Sequence, residues 1–201
     1  MVLQSRTSKI WTTDIVTAMQ RSWSRRSFLK WSIMMVMASQ LPVEALAKIS
    51  ECRTGERKLS LYNIHTGEYF HDIYWADGAY LWKSLETINR FMRDYRTGEV
   101  KGIDIRLLDL VHTIQTSVKA REPCQVISGY RSHKTNDLLI KQGHQVARNS
   151  FHVKGKAVDI HQPGVPLRQL RRLAVKLKVG GVGYYPQCRF IHVDTGPARY
   201  W

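Results

Sequence analysis

Ser150-Phe151-His152-Val153-Lys154-Gly155-Lys156-Ala157-Val158-Asp159 decides how the rest of the chain is read, and Ile191-His192-Val193-Asp194 answers it near the C-terminus. His152, Asp159 and His192 supply two imidazoles and one carboxylate, a set that suits Zn²⁺ and leaves a fourth position open for water. Gly155 permits a tight bend after His152, and Ala157 to His161 alternates apolar and polar residues as a half-buried strand does. His152 is therefore expected on the loop entering that strand, with Asp159 pointing from one of its faces. Arg189 to Asp194 reads as a second strand, in which period two puts Phe190, His192 and Asp194 on one face. Two neighbouring strands would bring the three ligands to one point, with Asp194 beside them. A single histidine is more often a satisfied structural or surface group than a ligand, so the weight rests on the combination.

Upstream, Cys124 to Ser128 reads as a strand and Gly129-Tyr130-Arg131 as the turn leaving it. A guanidinium there can hold a carboxylate in two-pronged fashion or stabilise an oxyanion; a surface salt bridge accounts for it equally well from spacing alone. Gly180-Gly181-Val182-Gly183-Tyr184-Tyr185-Pro186 lacks the Lys-Ser/Thr ending of a phosphate loop. Its glycines are read as letting the backbone approach the site, with Tyr184 or Tyr185 as a wall. Arg199-Tyr200-Trp201 follows shortly after Asp194 and is expected beside the same cleft.

The run Ser128 to Ser132, then Ser150 to Asp159, Gly180 to Pro186 and Phe190 to Pro197, in that order, resembles the MepK type of murein endopeptidase. This is a branch of the zinc D-Ala-D-Ala peptidases, related to the hedgehog-like metal fold, and the resemblance covers Leu59 to Trp201. It implies an α+β fold in which a small antiparallel sheet carries the zinc site, flanked by helices. It implies a zinc metallopeptidase that hydrolyses peptide cross-links of peptidoglycan at meso-diaminopimelate as the cell wall grows or is remodelled, with a substrate or oxyanion role for Arg131. The spacing leaves open a D-Ala to diaminopimelate or a diaminopimelate to diaminopimelate link. It also leaves open a D,D- or L,D-carboxypeptidase on uncross-linked stems, and a murein-binding module that keeps zinc without turnover. A general base must accept the proton of the attacking water. Asp194, which shares a face with His192, is the candidate; orienting a ligand imidazole is its alternative role. Relatives carry their base three residues before the last ligand, but that position here is Arg189, which cannot accept a proton. His133 and His161 are weaker candidates.

The chain opens with Ser24-Arg25-Arg26-Ser27-Phe28-Leu29-Lys30, a twin-arginine pattern, followed by an apolar run around Ile33 to Ala38 and by Ala45-Leu46-Ala47, a small-residue cleavage signature. Residues 1–47 are expected to be a twin-arginine signal peptide, handled by the twin-arginine export machinery, and residues 48–201 a single peptidase domain in the periplasm. Ser39, Gln40 and Pro42 break the apolar run short of the roughly 20 residues that cross a bilayer, so no stable span is expected after cleavage. The whole chain has 31 Lys/Arg and 16 Asp/Glu; the leader takes six and two, leaving 25 and 14, a formal +11. Nucleic acid is the first partner such a balance brings to mind, but export argues against it, and the carboxylates of peptidoglycan stem peptides and cross-links take its place. Cys52, Cys124 and Cys188 would meet an oxidising compartment, and Cys124 and Cys188, each just before a strand, are candidates to pair.

Leu59 to His65 and Tyr69 to Trp75 alternate around Thr66-Gly67 and read as a β-hairpin, decorated by His65 and His71. Leu81, Leu85, Ile88 and Met92 recur at helical spacing between Tyr80 and Tyr95. Asp104 caps a second helix whose stripe is Leu107, Leu108, Val111, Ile114 and Val118, with His112 structural beside it. Ser132 to Gly143 reads as a third helix that buries Leu138, Leu139 and Ile140. Pro166 opens a fourth. Its Leu167, Leu170, Leu173, Ala174 and Leu177 face inward, and its Arg168, Arg171, Arg172, Lys176 and Lys178 form a basic outer face suited to an anionic polymer.

Overall fold

The computed structural model describes residues 55–144 and 146–201; the leader expected over residues 1–47, and Cys52, lie outside the described residues. The predicted hairpin forms from β1 (Arg57–Asn63) and β2 (Tyr69–Ala76), and the Asp77-Gly78 turn adds a short β3 (Ala79–Tyr80). There follow α1 (Trp82–Phe91), α2 (Ile105–Ser117), β4 (Cys124–Ser128), α3 (His133–Lys141), β5 (Ala157–His161), α4 (Leu167–Leu177), β6 (Gly181–Tyr185), β7 (Phe190–Asp194) and β8 (Arg199–Tyr200). Among the described residues no helix is long and apolar enough to cross a membrane.

The sheet departs from the small antiparallel one expected. It is an eight-stranded mixed sheet in the order β3-β2-β1-β4-β5-β7-β6-β8, with β1 parallel to β4 and β6 parallel to β8. The cause lies in the connections: α1 and α2 intervene after the first hairpin, so the chain crosses over and returns beside β1 in the same direction, which a short turn cannot do. The two strands that carry predicted ligands, β5 and β7, are antiparallel to each other and to their outer neighbours β4 and β6.

Period two gives the central strands two faces. Val158, Ile160, Ile191, Val193 and Val182 bury themselves on one, together with Leu59, Leu61 and Val126. The second helix lies against β1, the fourth against β6 and β7, and the two helices touch, so both cover this face. Leu107, Leu108, Val111, Ile114, Leu170 and Ala174 close the core. Full burial of one such aliphatic side chain stabilises by about 1.5–3 kcal/mol, so this face holds the sheet and leaves the opposite one for chemistry.

Asp104 caps α2 as expected, accepting from the Arg106 N–H at 3.0 Å, and its other oxygen accepts from the Thr195 hydroxyl at 2.8 Å. The first helix stops at Phe91 rather than running to Tyr95, because the Asn63 side chain takes the Phe91 carbonyl (3.2 Å) and Asp94 turns toward Ser132. The third helix buries a different side from the one expected. Thr135 and Asn136 face inward while Leu138 is 44% exposed, because Asn136 donates to the Ala147 carbonyl at 3.2 Å and contacts Arg131, fastening the loop that leads to His152. The expected Cys124–Cys188 pair does not form. Cys124 is a buried thiol on β4, pushed up to about 12 by burial, and Cys188 is an exposed thiol on the β6–β7 turn.

Candidate metal centre

The three predicted ligands meet on the open face of the sheet. Asp159 and His192 are directly paired across β5 and β7, so both project to the same side. His152 arrives on the turn before β5. Its backbone N–H is bonded to Ser150 Oγ (3.3 Å), and its carbonyl accepts from the Gly155 and Arg131 N–H groups. Gly155 has φ +67°, and a Cβ there would lie 2.4 Å from the Gly102 carbonyl oxygen, so the bend requires glycine on both counts.

All three side chains are buried, with one ligand atom of each within 4.8 Å of the others. His152 Nε2 lies 3.1 Å from His192 Nδ1 and 3.3 Å from Asp159 Oδ1, and His192 Nδ1 lies 2.9 Å from that same oxygen. The outer nitrogens are committed elsewhere: His152 Nδ1 to the Gly129 carbonyl at 2.8 Å, His192 Nε2 to Asp194 Oδ2 at 2.9 Å. Both acceptors favour the tautomer that carries its proton on the outside, which turns two imidazole lone pairs and a carboxylate oxygen toward one point. Such convergence gathers negative potential at one point and fits a cation, and acceptors behind ligand histidines are the usual means of fixing them.

Burial shifts the charges here in opposing ways. Desolvation lowers His152. It would raise Asp159 and Asp194, but the charge and hydrogen bonds of the neighbouring imidazoles, and Arg199 in the case of Asp194, outweigh it, and both carboxyls stay below their ordinary value. His192 is raised, because bonds to Asp159 and Asp194 overcome desolvation.

Asp194 is fully buried and does not line the cleft. Its oxygens accept from His192 Nε2, the Gly181 N–H (3.1 Å), the Gly196 N–H (2.8 Å) and, two-pronged, Arg199 (2.7 and 3.2 Å). The sequence sets Arg199 beside the cleft with Tyr200 and Trp201 but gives it no role; period two along β8, which puts it on the side of Trp201, is the signal that singles it out. Its guanidinium carbon lies 4.9 Å from the centre of the Phe151 ring and 5.0 Å from that of Trp201. The β6 glycines have the expected use. A Cβ on Gly181 would meet Asp194 Oδ2 at 2.5 Å, and one on Gly183 would meet the Trp201 indole at 2.7 Å.

A cleft of about 700 Å³ opens over the three ligands. Phe151, Tyr185, Phe190 and Trp201 make its aromatic walls, and Arg131 and Arg199 face into it, while Asp159 is its one carboxylate among the described residues. Arg131 is buried, 4.0 Å from Asp159 Oδ2 and 3.4 Å from Ser128 Oγ. A register shift between Val126 and Ser128 precedes it and bends the chain out of β4 toward the site. Tyr184 points to the other side of the sheet. His133 and His161 do not line the cleft, and Arg189 sits exposed on the β6–β7 turn at φ +60°. His65 stacks on Tyr95, and His112 bonds the Lys58 carbonyl.

Residues 51–201 match the family described as Peptidoglycan L,D-endopeptidase MepK. The chain belongs to the MepK family. Its similarity to the peptidoglycan L,D-endopeptidase MepK of Escherichia coli strain K12 is 41% identity over 178 residues, 89% of this chain and 97% of the relative. The MepK of Shigella flexneri matches to the same extent. The "Probable peptidoglycan L,D-endopeptidase MepK" of Haemophilus influenzae is 39% identical over 179 residues, 89% of this chain and 95% of the relative. No solved structure matches the chain. The MepK match spans every strand and helix described above and all residues of the converging triad.

Proposed function

We propose that the chain is a zinc-dependent murein L,D-endopeptidase, exported by the twin-arginine route and active on peptidoglycan cross-links in the periplasm during wall growth or remodelling. The observation that carries this is the pair of imidazoles, each with its outer nitrogen held by an acceptor, and the buried carboxylate converging under a cleft where the other charged side chains among the described residues are Arg131 and Arg199. The L,D designation in the relatives' name favours one of the two candidate bonds. A diaminopimelate to diaminopimelate link joins an L centre to a D centre, whereas a D-Ala to diaminopimelate link joins two D centres.

His152 Nε2, Asp159 Oδ1 and His192 Nδ1 would hold the metal. When bound, Zn²⁺ supplies a Lewis acid and lowers the pKa of water to about 7. The chain's own side chains do the rest. Arg131, with its planar fork of donors, binds a stem carboxylate or the oxyanion developing at the scissile carbonyl. The walls formed by Phe151, Tyr185 and Trp201 exclude water from the peptide and strengthen both charge contacts. Asp194 is assigned the positioning role: it holds the Nε2 proton of His192, and Arg199 and two backbone N–H groups hold Asp194.

The test is a digest of purified cross-linked muropeptides by the full chain, with added zinc or with a chelator, the products read by mass. Zinc-dependent conversion of diaminopimelate-linked dimers to monomers is expected. Loss of a terminal residue from uncross-linked stems would make the protein a carboxypeptidase, and stoichiometric zinc without turnover would make it a binding module.

A further inference from the structure

Across the sheet from the cleft, α4, β6 and β8 enclose a second concavity of about 380 Å³, lined by Arg168, Arg171, Arg172, Val175, Tyr184 and Tyr200. Alternation along the two strands creates the pair of sites: Tyr185 and Trp201 line the cleft, while Tyr184 and Tyr200, their chain neighbours, line the groove. No carboxylate lines the groove, and none of its three arginines has an ion-pair partner among the described residues. Arg171 lies over the Tyr184 ring at 5.3 Å, and its Nε is buried without a hydrogen-bond acceptor among the described residues. A buried N–H left without an acceptor destabilises the fold, and an anionic oxygen in the groove relieves this.

We propose that this groove is a second binding site for the glycan-peptide polymer, away from the bond being cut: the guanidiniums take stem-peptide carboxylates and the tyrosine faces take sugar rings. The proposal rests on the peptidoglycan function above. Carboxylates suit the planar donor forks of arginine. A lipid surface calls for projecting apolar anchors, whereas here tyrosines line the walls of a concavity. Both sites meet at β8, the edge of the sheet, so one polymer segment passing over that edge can engage both. Occupying the groove raises the effective concentration of cross-links at the cleft.

Arg168 and Arg172 are exposed, so Arg168→Gln/Arg172→Gln removes two charges without opening the core. Lys83→Gln/Lys134→Gln, also exposed, removes the same charge elsewhere. Co-sedimentation of the full chain with purified peptidoglycan is expected to weaken about tenfold for the arginine pair and to stay within about twofold for the lysine pair. Hydrolysis of short soluble dimers should be unchanged in both. Equal binding by wild type and the arginine variant would overturn the proposal, as would equal losses in the two variants, or a loss confined to phosphatidylglycerol vesicles. Sedimentation needs no turnover, so a wild-type chain that cleaves no dimers but loses polymer binding with the arginine pair would sink the proposed activity and leave the groove standing.

Discussion

Asp194 shows how one carboxylate can shape a site it does not line. Its oxygens accept from an imidazole, two backbone N–H groups and a guanidinium, and it has no exposed surface on which to meet a water in the cleft. A general base and a positioning residue differ in what their loss does to the metal. Asp194→Asn, which keeps the shape and weakens the acceptor, is expected to lower zinc affinity about 10–100-fold, as loss of the acceptor behind a ligand histidine does elsewhere. Competition with a chromogenic chelator measures it. Unchanged zinc affinity with hydrolysis abolished would return Asp194 to the role of base.

At the scale of elements, two junctions hold the cleft. One is β6 against β8, where Gly183 leaves the space that the Trp201 ring fills. Gly183→Ala puts a methyl 2.7 Å from that ring, so overpacking of about 1–3 kcal/mol is expected. A fall in kcat/KM from the displaced wall should accompany the lower Tm; a variant with normal activity would show that the wall is not used. The other junction is Asp94 at the start of α3. It accepts the Ser132 N–H at 2.8 Å and hydroxyl at 2.7 Å, while Ser132 caps the helix and adjoins Arg131. Burial would raise Asp94, but the bonds from Ser132 and the Arg96 N–H hold it at about 2 instead of the ordinary 3.8. A carboxyl lowered on folding stabilises above its unfolded pKa and stops doing so as pH falls through the folded one. Asp94→Asn should therefore be less stable than wild type at pH 7, with the difference shrinking between about pH 4 and pH 2 in acid denaturation. The sequence showed the glycines of the first junction and the Trp201 end beside the cleft but not their contact, and it showed nothing of the second. The ligand strands were legible because period two is local, and so were the hairpin and the Asp104 cap. The Asp94–Ser132 bond spans 38 residues, and the parallel return of β4 depends on a crossover, so neither leaves a local pattern. The third helix misled for a related reason: Leu138 is exposed and Leu139 only half-buried because the site claims the helix's polar side.

At the scale of the whole molecule, the sheet divides stability from chemistry. Its helix-covered face carries the continuous aliphatic core, and His152, Asp159 and His192 stand on the other face, bonded among themselves and to the groups around them. Metal removal should therefore loosen the open face without melting the core. A site that binds zinc only in the folded chain adds about 2.7 kcal/mol at a free concentration one hundred times its dissociation constant. For a domain of this size that corresponds to a Tm shift of about 5–10 °C. Thermal unfolding followed by circular dichroism, with a chelator and then with zinc restored, is expected to show one cooperative transition that moves down and back by that amount. Unfolding at room temperature on chelation would make the metal part of the core's support and contradict the division between the faces. An unmoved transition at saturating zinc would mean that the three converging ligand atoms hold no metal, and the proposed hydrolysis would lose its basis with them.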